Sequence, residues 1–254
     1  MLRIMLDTDR LRTSEALIGR ICARAGEGAS GQILIVPEQY SHTAERALCR
    51  TGGGTISRYA EVLSFTRLAS RLFSIYGGVC EEYLDKGGRL LSVYLAAEQV
   101  RPQLKYYAAV STKPEFLQRL GAAMEEFLSC CLAPEALREA ARSVSGQFAQ
   151  KLEELAILYE SYLSVCKSGR QDPVTRLQRA QTLLQETDFA SEHIFYLDGF
   201  ADFTAVERQI LSELLRRSPE VVLALTTDGS GKAVFRAAGE TLRWLKKETA
   251  RWNV

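Results

Sequence analysis

Short apolar runs near the two ends of the chain predict the strands of a buried β-sheet. Segments such as "QILIV" and "VVLAL" are continuously apolar, without the alternation of a strand that faces water on one side. Continuous runs are typical of parallel strands that helices cover on both faces. We therefore predict a parallel sheet built from Leu2–Leu6, Ile33–Val36, Thr55–Arg58, His193–Leu197 and Val221–Leu225.

The middle of the chain follows a different pattern, with apolar residues at helical spacing. Phe116, Leu120, Ala123 and Phe127 recur at intervals that place them on one face of a helix. Such stripes more often pack against other helices than line a cofactor site. We predict an α/β core formed by residues 1–84 and 189–254, with an all-helical insertion of residues 85–188 between the third and fourth strands.

The composition is that of a globular protein and narrows the choice of function only a little. Of the 254 residues, 46% are hydrophobic and 25% are charged. The net charge of +1 neither favours nor excludes nucleic acid, because a local basic face can exist within a balanced total. Apolar runs stay shorter than the roughly 20 residues of a membrane span, and acidic residues occur too early for a signal peptide. We expect a cytoplasmic protein that has no membrane partner.

The cysteines and histidines offer no obvious metal site. Six cysteines are present without a Cys-x-x-Cys pair, and the two histidines, His42 and His193, lack a ligand-like spacing. A zinc or iron–sulfur site in this region is therefore not expected. We predict reduced thiols, several of them on apolar helix faces.

The segment around Asp198 is similar to one half of a nucleotide site. Its carboxylate follows the buried run "IFYL", and in P-loop NTPases an aspartate at the end of such a strand holds the Mg²⁺ of the nucleotide. The loop after the first strand should then match GxxxxGK[ST], whose glycines let the backbone approach the phosphates. Here that corner is "LDTDRLRTS", which has acidic residues but no glycine or lysine. We predict a degenerate nucleotide site, represented by Thr13, Ser14 and Asp198, without useful affinity for ATP.

A second candidate phosphate loop, "TTDGSGKAVF", lies near the end of the chain. Thr226 stands where the motif needs its first glycine, and Ala233 stands where it needs the metal-binding hydroxyl. We interpret this segment as a polar turn. A Ser-His-Asp or Cys-His arrangement for hydrolysis is not evident either, so we predict that this region is non-catalytic.

Four segments together resemble the amino-terminal region of the AddB subunit of the AddAB-type ATP-dependent helicase/deoxyribonuclease. They are "ILIVPEQYSHTAERAL", "VLSFTRLASRLFSIYGG", "KLEELAILYESYL" and "FYLDGFADFTAVERQIL", in that order. The resemblance implies a P-loop NTPase-like, superfamily-1 helicase-like domain with a large helical insertion. It also implies a role in homologous recombination and double-strand break repair, on single-stranded DNA or a duplex end, beside an AddA-type motor subunit.

Two features of the family are expected to be altered or to lie elsewhere. Family members often keep a glycine-rich phosphate loop after the first strand, where this sequence has "LDTDRLRTS". The family's nuclease, with its Mg²⁺ and four-cysteine iron–sulfur cluster, belongs to a carboxyl-terminal region that these 254 residues do not contain. The chain is either a fragment or a degenerate stand-alone relative, and we expect a fragment.

The resemblance also implies where DNA would bind. In the family, the inactivated helicase-like domains of the AddB subunit form a channel that reads the single strand leaving the motor, including the recombination hotspot Chi. Glutamine can donate and accept at a base edge, arginine binds guanine or phosphate, and phenylalanine stacks on bases. Some relatives have a tryptophan where this chain has Ser70, so at this position the resemblance does not imply specific reading of the hotspot. The residues that match the family's motifs are Gln39, Ser41, Phe65, Arg67 and Phe200.

These residues also have structural interpretations, and three functions stay open. The two phenylalanines could be core residues, Arg67 a surface charge, and Gln39 and Ser41 caps of the following helix. The chain could be a non-catalytic DNA-binding module, an active nucleotide-dependent motor domain, or a structural piece that holds the AddA-type subunit through its helical insertion. The missing phosphate loop favours the first over the second.

Overall fold

Within the described residues, five parallel strands form one sheet, which confirms the predicted α/β class. The structure, a computed structural model, describes residues 1–77, 83–168, 172–230 and 232–252. The strands are β1 (Leu2–Asp7), β2 (Gln32–Ile35), β3 (Ala60–Leu63), β4 (Ile194–Leu197) and β5 (Val221–Thr226). Their order in the sheet is β1-β5-β4-β2-β3, so the first and last of these strands are neighbours.

The predicted third strand was wrong in position. The segment Ile56–Arg58 forms a short 3₁₀ helix, and the strand follows it as β3. Thr55, Ile56 and Tyr59 favour a strand by their intrinsic propensity, but only Ile56 of these is buried. The segment that can pair with β2 on its full length is the following "AEVL", where Val62 lies opposite Leu34.

Helices cover both faces of the sheet. Leu34, Tyr196 and Val222 point to one face, and their sequence neighbours Ile33 and Phe195 point to the other. Each large apolar side chain buried in this way contributes about 1.5–3 kcal/mol. The helices, in chain order, are α1 (Arg10–Gly26), α2 (Ser41–Gly52), α3 (Phe65–Tyr76), α4 (Lys86–Val100), α5 (Pro114–Ser129), α6 (Pro134–Arg142), α7 (Gly146–Ser168), α8 (Thr175–Glu186), α9 (Phe189–Glu192), α10 (Ala205–Arg217) and α11 (Arg236–Trp252).

The chain divides into two compact units. Residues 1–77 and 177–254 form the sheet unit, and residues 78–176 form a helical unit. Ala180 and Leu184 of α8 are fully buried in the same core as β2 and β4. The helical unit therefore ends near the start of α8, at residue 176, and not at residue 188 as predicted. In the described part of the chain, none of the helices combines the length and the apolar character needed to cross a membrane.

A buried ion pair ties the helical unit together at Asp172. Its side chain is 1% exposed and accepts from Arg89 Nε at 2.8 Å and from Arg89 Nη2 at 3.0 Å. The Tyr162 hydroxyl donates to the same carboxylate at 2.7 Å, and the Val174 N–H donates at 3.0 Å. Burial opposes the charge on Arg89, but its bonds to Asp172 prevail and raise the pKa of the guanidinium. These bonds join α4, α7 and the segment before α8.

A second buried carboxylate, Glu154 on α7, caps a loop. The backbone N–H groups of Lys105, Tyr106 and Tyr107 donate to it at 3.0, 2.8 and 2.9 Å. Burial alone would raise the pKa of this carboxyl, but the backbone donors outweigh burial and hold the pKa below its usual range. The charged carboxylate therefore accepts from three consecutive loop N–H groups and fixes the loop against α7.

Candidate nucleic-acid interface

The segments that follow β2, β3 and β4 meet at the carboxyl edge of the sheet. Parallel strands end at the same edge, so residues far apart in sequence come together there. The Ser64 hydroxyl after β3 donates to the Glu38 carboxylate after β2. The Phe65 ring lies 5.5 Å from the Phe200 ring after β4, centroid to centroid. A cavity of about 110 Å³ lies among these segments, and Pro37, Glu38, Ser64, Phe65, Thr66 and Phe200 are among its lining residues.

The β2 corner presents Gln39 and buries Ser41. The segment Glu38–Tyr40 forms one turn of 3₁₀ helix, and α2 begins at Ser41 without a side-chain cap. Gln39 is exposed, and its amide makes no hydrogen bond to the described part of the chain. Ser41 is 7% exposed, and its hydroxyl has no partner among the described residues. Gln39 is therefore accessible to a ligand, whereas Ser41 is not, and neither side chain caps the helix.

The β3 corner presents Arg67 at the start of α3. Ser64 is the N-cap of this helix and accepts from the Arg67 N–H at 3.1 Å. The Arg67 guanidinium pairs with Glu45 at 2.7 Å, and the two side chains are 44% and 40% exposed. A pair this exposed is worth about 0–1 kcal/mol, so the guanidinium can exchange Glu45 for another anion at little cost.

Phe65 is a core residue in this structure. It is 4% exposed, and its ring contacts Phe200 and Phe203 edge-on. The direct stacking on a base that was expected for Phe65 is not possible with the ring in this position. Phe65 instead supports Phe200, which is only partly buried and stacks on Phe203 with the centroids 4.9 Å apart.

The β1 and β4 corners bring Ser14 and Asp198 together. The Ser14 hydroxyl donates to Asp198 Oδ2 at 2.6 Å, and Asp198 is 9% exposed. Thr13 does not take part, because it is 4% exposed and its hydroxyl donates to the Arg10 carbonyl at 2.8 Å. Two of the three residues assigned to a degenerate nucleotide site are therefore in direct contact.

The turn before α1 is closed by its own carboxylates. Asp9 caps the helix by accepting from the Leu11 N–H at 2.9 Å, and its carbonyl accepts from the Thr13 N–H at 3.3 Å. Asp7 accepts from the Asp9 N–H at 2.9 Å, and this bond lowers the pKa of Asp7. In a phosphate loop these N–H groups would face the nucleotide. In this chain the N–H groups of Leu11 and Thr13 donate to oxygens of Asp9.

Sequence reasoning missed Arg10. Its guanidinium carbon lies 4.0 Å from the centroid of the Tyr40 ring, in the geometry of a cation–π contact. Gly199 has a φ of +83°, and a Cβ built there would lie 2.9 Å from Arg10 Nη2. The glycine of "DGF" thus permits both the left-handed backbone and the approach of the arginine. The signal in the sequence was this glycine directly after Asp198.

The described cysteines do not suit an iron–sulfur cluster. Cys22 lies on α1, Cys49 on α2, Cys130 and Cys131 after α5, and Cys166 on α7, all outside any disulfide. Within the described residues, no three metal-ligating side chains lie together, whereas such a cluster needs four thiolates. Cys80, the sixth cysteine of the sequence, lies outside the described residues.

Comparison with known proteins supports the resemblance noted in the motifs. A family model described as "ADDB, N-terminal" matches residues 12–254. A protein of Thermoanaerobacter sp. (strain X514) is 31% identical over 207 residues, which make up 80% of this chain and 18% of that protein. A Staphylococcus saprophyticus protein is 26% identical over 247 residues, or 95% of this chain and 21% of that protein. A Clostridium tetani protein is 29% identical over 201 residues, or 78% of this chain and 18% of that protein.

Each of these relatives is named as the B subunit of an ATP-dependent helicase/deoxyribonuclease. The chain spans about a fifth of the length of the curated relatives it matches. The family match extends over almost the whole chain and includes both the sheet unit and the helical unit. The resemblance is thereby confirmed, and the chain belongs to the family of AddB amino-terminal regions.

Proposed function

We propose that this chain is a non-catalytic, helicase-like DNA-binding module of an AddAB-type helicase–nuclease that acts in recombinational repair of double-strand breaks. Its partners would be single-stranded DNA and a motor subunit of the AddA type. The observation that carries the proposal is the convergence of the β2, β3 and β4 corners, which leaves Gln39, Arg67 and Phe200 accessible at one edge. The Mg²⁺-dependent nuclease and the iron–sulfur cluster are assigned to other parts of such a protein.

The arrangement around Asp198 supports a P-loop NTPase-like origin for the sheet unit. An aspartate at the end of a buried strand and a hydroxyl in the first turns of α1 are the groups that hold Mg²⁺ in that fold. Here they bond directly to each other, Ser14 to Asp198 at 2.6 Å. Asp7 and Asp9 occupy the turn where backbone N–H groups would bind phosphate. These groups suit a site that has lost its nucleotide.

The accessible side chains suit single-stranded DNA. Gln39 can donate to and accept from one base edge, and Arg67 can bind guanine or a phosphate after releasing Glu45. Phe200 can stack on one base, a contact worth about 1–3 kcal/mol. Ser70 donates to the Thr66 carbonyl at 3.0 Å, at the position where some relatives have a tryptophan. We infer recognition of a Chi-type sequence through fewer stacked bases than in those relatives.

The proposal is tested by DNA binding with the complete two-subunit complex. Fluorescence anisotropy with short single-stranded oligonucleotides would compare the parent with Phe200→Ala and Arg67→Ala. Phe200→Ala should cost about 1–3 kcal/mol on a favoured sequence, because one stacked base is lost. Arg67→Ala should weaken binding too, on all sequences alike if the guanidinium binds phosphate.

Arg71→Ala is the matched control for Arg67→Ala. Arg71 lies one turn further along α3, is 45% exposed and pairs with Glu61 at 3.2 Å, so its environment is similar to that of Arg67. It lies outside the three corners, and its removal should leave DNA binding unchanged. If Phe200→Ala and Arg67→Ala bind every oligonucleotide as the parent and Arg71→Ala do, these residues are packing and surface charge only.

Loss of nucleotide binding has its own test on the 254-residue chain. Titration with a fluorescent ATP analogue and Mg²⁺ should show no saturable binding, because protein oxygens already occupy the N–H groups at the start of α1. Micromolar saturable binding that disappears in Asp198→Ala would show that the site still works as a nucleotide site.

A second candidate function is docking of the motor subunit through the helical unit. Leu90, Leu91, Tyr94 and Leu95 of α4 are 38–57% exposed and recur at helical spacing, so they form an apolar stripe. Exposed apolar patches often mark protein–protein contacts. Leu91→Glu should weaken co-purification of the two subunits, whereas equal recovery would exclude this face from the subunit contact.

A further inference from the structure

A protein cation, Arg10, lies beside the corner that was assigned to a degenerate nucleotide site. Arg10 is the first residue of α1, and its guanidinium carbon lies 4.0 Å from the centroid of the Tyr40 ring. On its other side it approaches Gly199 so closely that a Cβ there would be 2.9 Å from Nη2. Arg10 therefore bridges the β1, β2 and β4 corners with one side chain.

The Ser14–Asp198 hydrogen bond joins two of the same corners. It joins Ser14 Oγ on α1 to Asp198 Oδ2 at the end of β4, at 2.6 Å. Arg10 and Ser14 both lie in the first turns of α1, so this helix contacts the β4 corner twice and the β2 corner once. For convenience, Arg10, Ser14, Tyr40 and Asp198 are called the clasp.

The two residues that Arg10 approaches, Tyr40 and Gly199, are direct sequence neighbours of the accessible residues. Tyr40 follows Gln39 in sequence, and Gly199 precedes Phe200. A change in either backbone corner would therefore move a proposed DNA contact. In nucleotide-dependent proteins the bound phosphates and Mg²⁺ hold such corners in place.

We propose that the clasp replaces bound nucleotide, and that Arg10 is a positioning residue that fixes Gln39 and Phe200 for DNA without any nucleotide. The inference rests on the proposed function and adds its regulation: the DNA-binding edge of this chain is permanently assembled. Because ordering costs are met before DNA arrives, the edge binds with less loss of entropy than a mobile loop would.

The test uses Arg10→Met in the complete complex, with Arg12→Met as the matched control. Arg12 is the next arginine along α1, is 76% exposed and pairs only weakly with Asp9, at 3.7 Å. Two measurements are made on each variant: hydrogen–deuterium exchange at residues 37–41 and 199–203, and affinity for a favoured single-stranded oligonucleotide. Arg10→Met should speed exchange in both segments and weaken binding, each by roughly threefold to tenfold, the range for loss of a partly buried cation–π contact. Arg12→Met should do neither.

Faster hydrogen–deuterium exchange at β5 would show that Arg10→Met folds poorly. In that case Tyr40 provides a second pair of variants. Tyr40→Leu removes the ring and should reproduce the Arg10→Met effects, while Tyr40→Phe keeps the ring and should behave as the parent. If the parent binds DNA, and Arg10→Met and Tyr40→Leu change neither exchange nor affinity, the clasp is refuted and the proposed function stands. If the parent complex does not bind single-stranded DNA through this chain, the proposed function fails first and this inference fails with it.

Discussion

Replacing Asp172 by asparagine should destabilise the helical unit strongly. The substitution keeps the shape of the side chain but removes the charge that pairs with Arg89, whose own side chain is only 17% exposed. It also puts an NH₂ group where the carboxylate now accepts from Arg89, Tyr162 and the Val174 N–H. Breaking one side of a buried ion pair typically costs about 3–5 kcal/mol.

The expected cost lies at the lower end of that range, at about 3 kcal/mol, for a reason visible in the structure. Arg89 Nη1 also pairs with Glu125 at 2.7 Å, so the guanidinium keeps one partner after the substitution. Glu125 is 50% exposed and supplies the matched control, because Glu125→Gln removes a carboxylate from the same arginine at the surface. That change should cost no more than about 1 kcal/mol.

Hydrogen–deuterium exchange resolves the effect by unit, which a single melting temperature would not. In Asp172→Asn, amides of α4 and α7 should lose protection equivalent to about 3 kcal/mol, while amides of β4 and β5 should be unchanged because they belong to the sheet unit. Equal protection of the α4 amides in Asp172→Asn and Glu125→Gln would refute the view that burial makes the Asp172–Arg89 pair more stabilising than the exposed Glu125–Arg89 pair.

Three further outcomes follow from local geometry. The pKa of Glu154 is held below its usual range, so the charged carboxylate stabilises the fold above the unfolded pKa of about 4.3, and this stabilisation is lost as the pH falls through the lowered pKa. On acidification, the melting temperature of Glu154→Gln should therefore fall less than that of the parent. Gly199→Ala should destabilise the sheet unit more than Gly229→Ala in chemical unfolding, because both have positive φ but only Gly199 has side-chain atoms within contact of a new Cβ. At pH 8, iodoacetamide should label exposed Cys49 before Cys166, since burial raises the pKa of the Cys166 thiol, and equal labelling rates would contradict the burial.

Four of the five described strands, β1, β2, β4 and β5, could be predicted from their apolar runs, and the last three are buried on both faces. β2, β4 and β5 are continuous apolar runs because helices cover each side of the sheet, and no other pattern was needed to find them. β3 lies at one edge of the sheet, and its short "AEVL" run carries a weaker signal than the preceding "TISRY". Pairing with β2, which the sequence does not display, decides between the two segments.

The candidate site could be predicted in its position but not in its accessibility. The carboxyl ends of parallel strands meet at one edge, so the neighbourhood of Gln39, Arg67 and Phe200 followed from topology. The burial of Phe65 did not, because Phe200 and Phe203 come from a loop more than a hundred residues away and cover its ring. The role of Arg10 could not be predicted because its partners, Tyr40 and Gly199, lie about 30 and 190 residues away in sequence and meet it only in the folded chain.

The carboxyl edge therefore contains two kinds of residue with different tasks. Ser64, Glu38 and Phe65 are held by part-buried hydrogen bonds and ring contacts, and they fix the corners against each other. Gln39 and Arg67 keep their polar groups accessible, with at most an exposed ion pair to give up. The proposed function needs a surface of this kind, because a protein side that is already ordered leaves only the single strand to lose freedom on binding. On that proposal, loosening the first set should weaken DNA binding, because it would displace the residues of the second set.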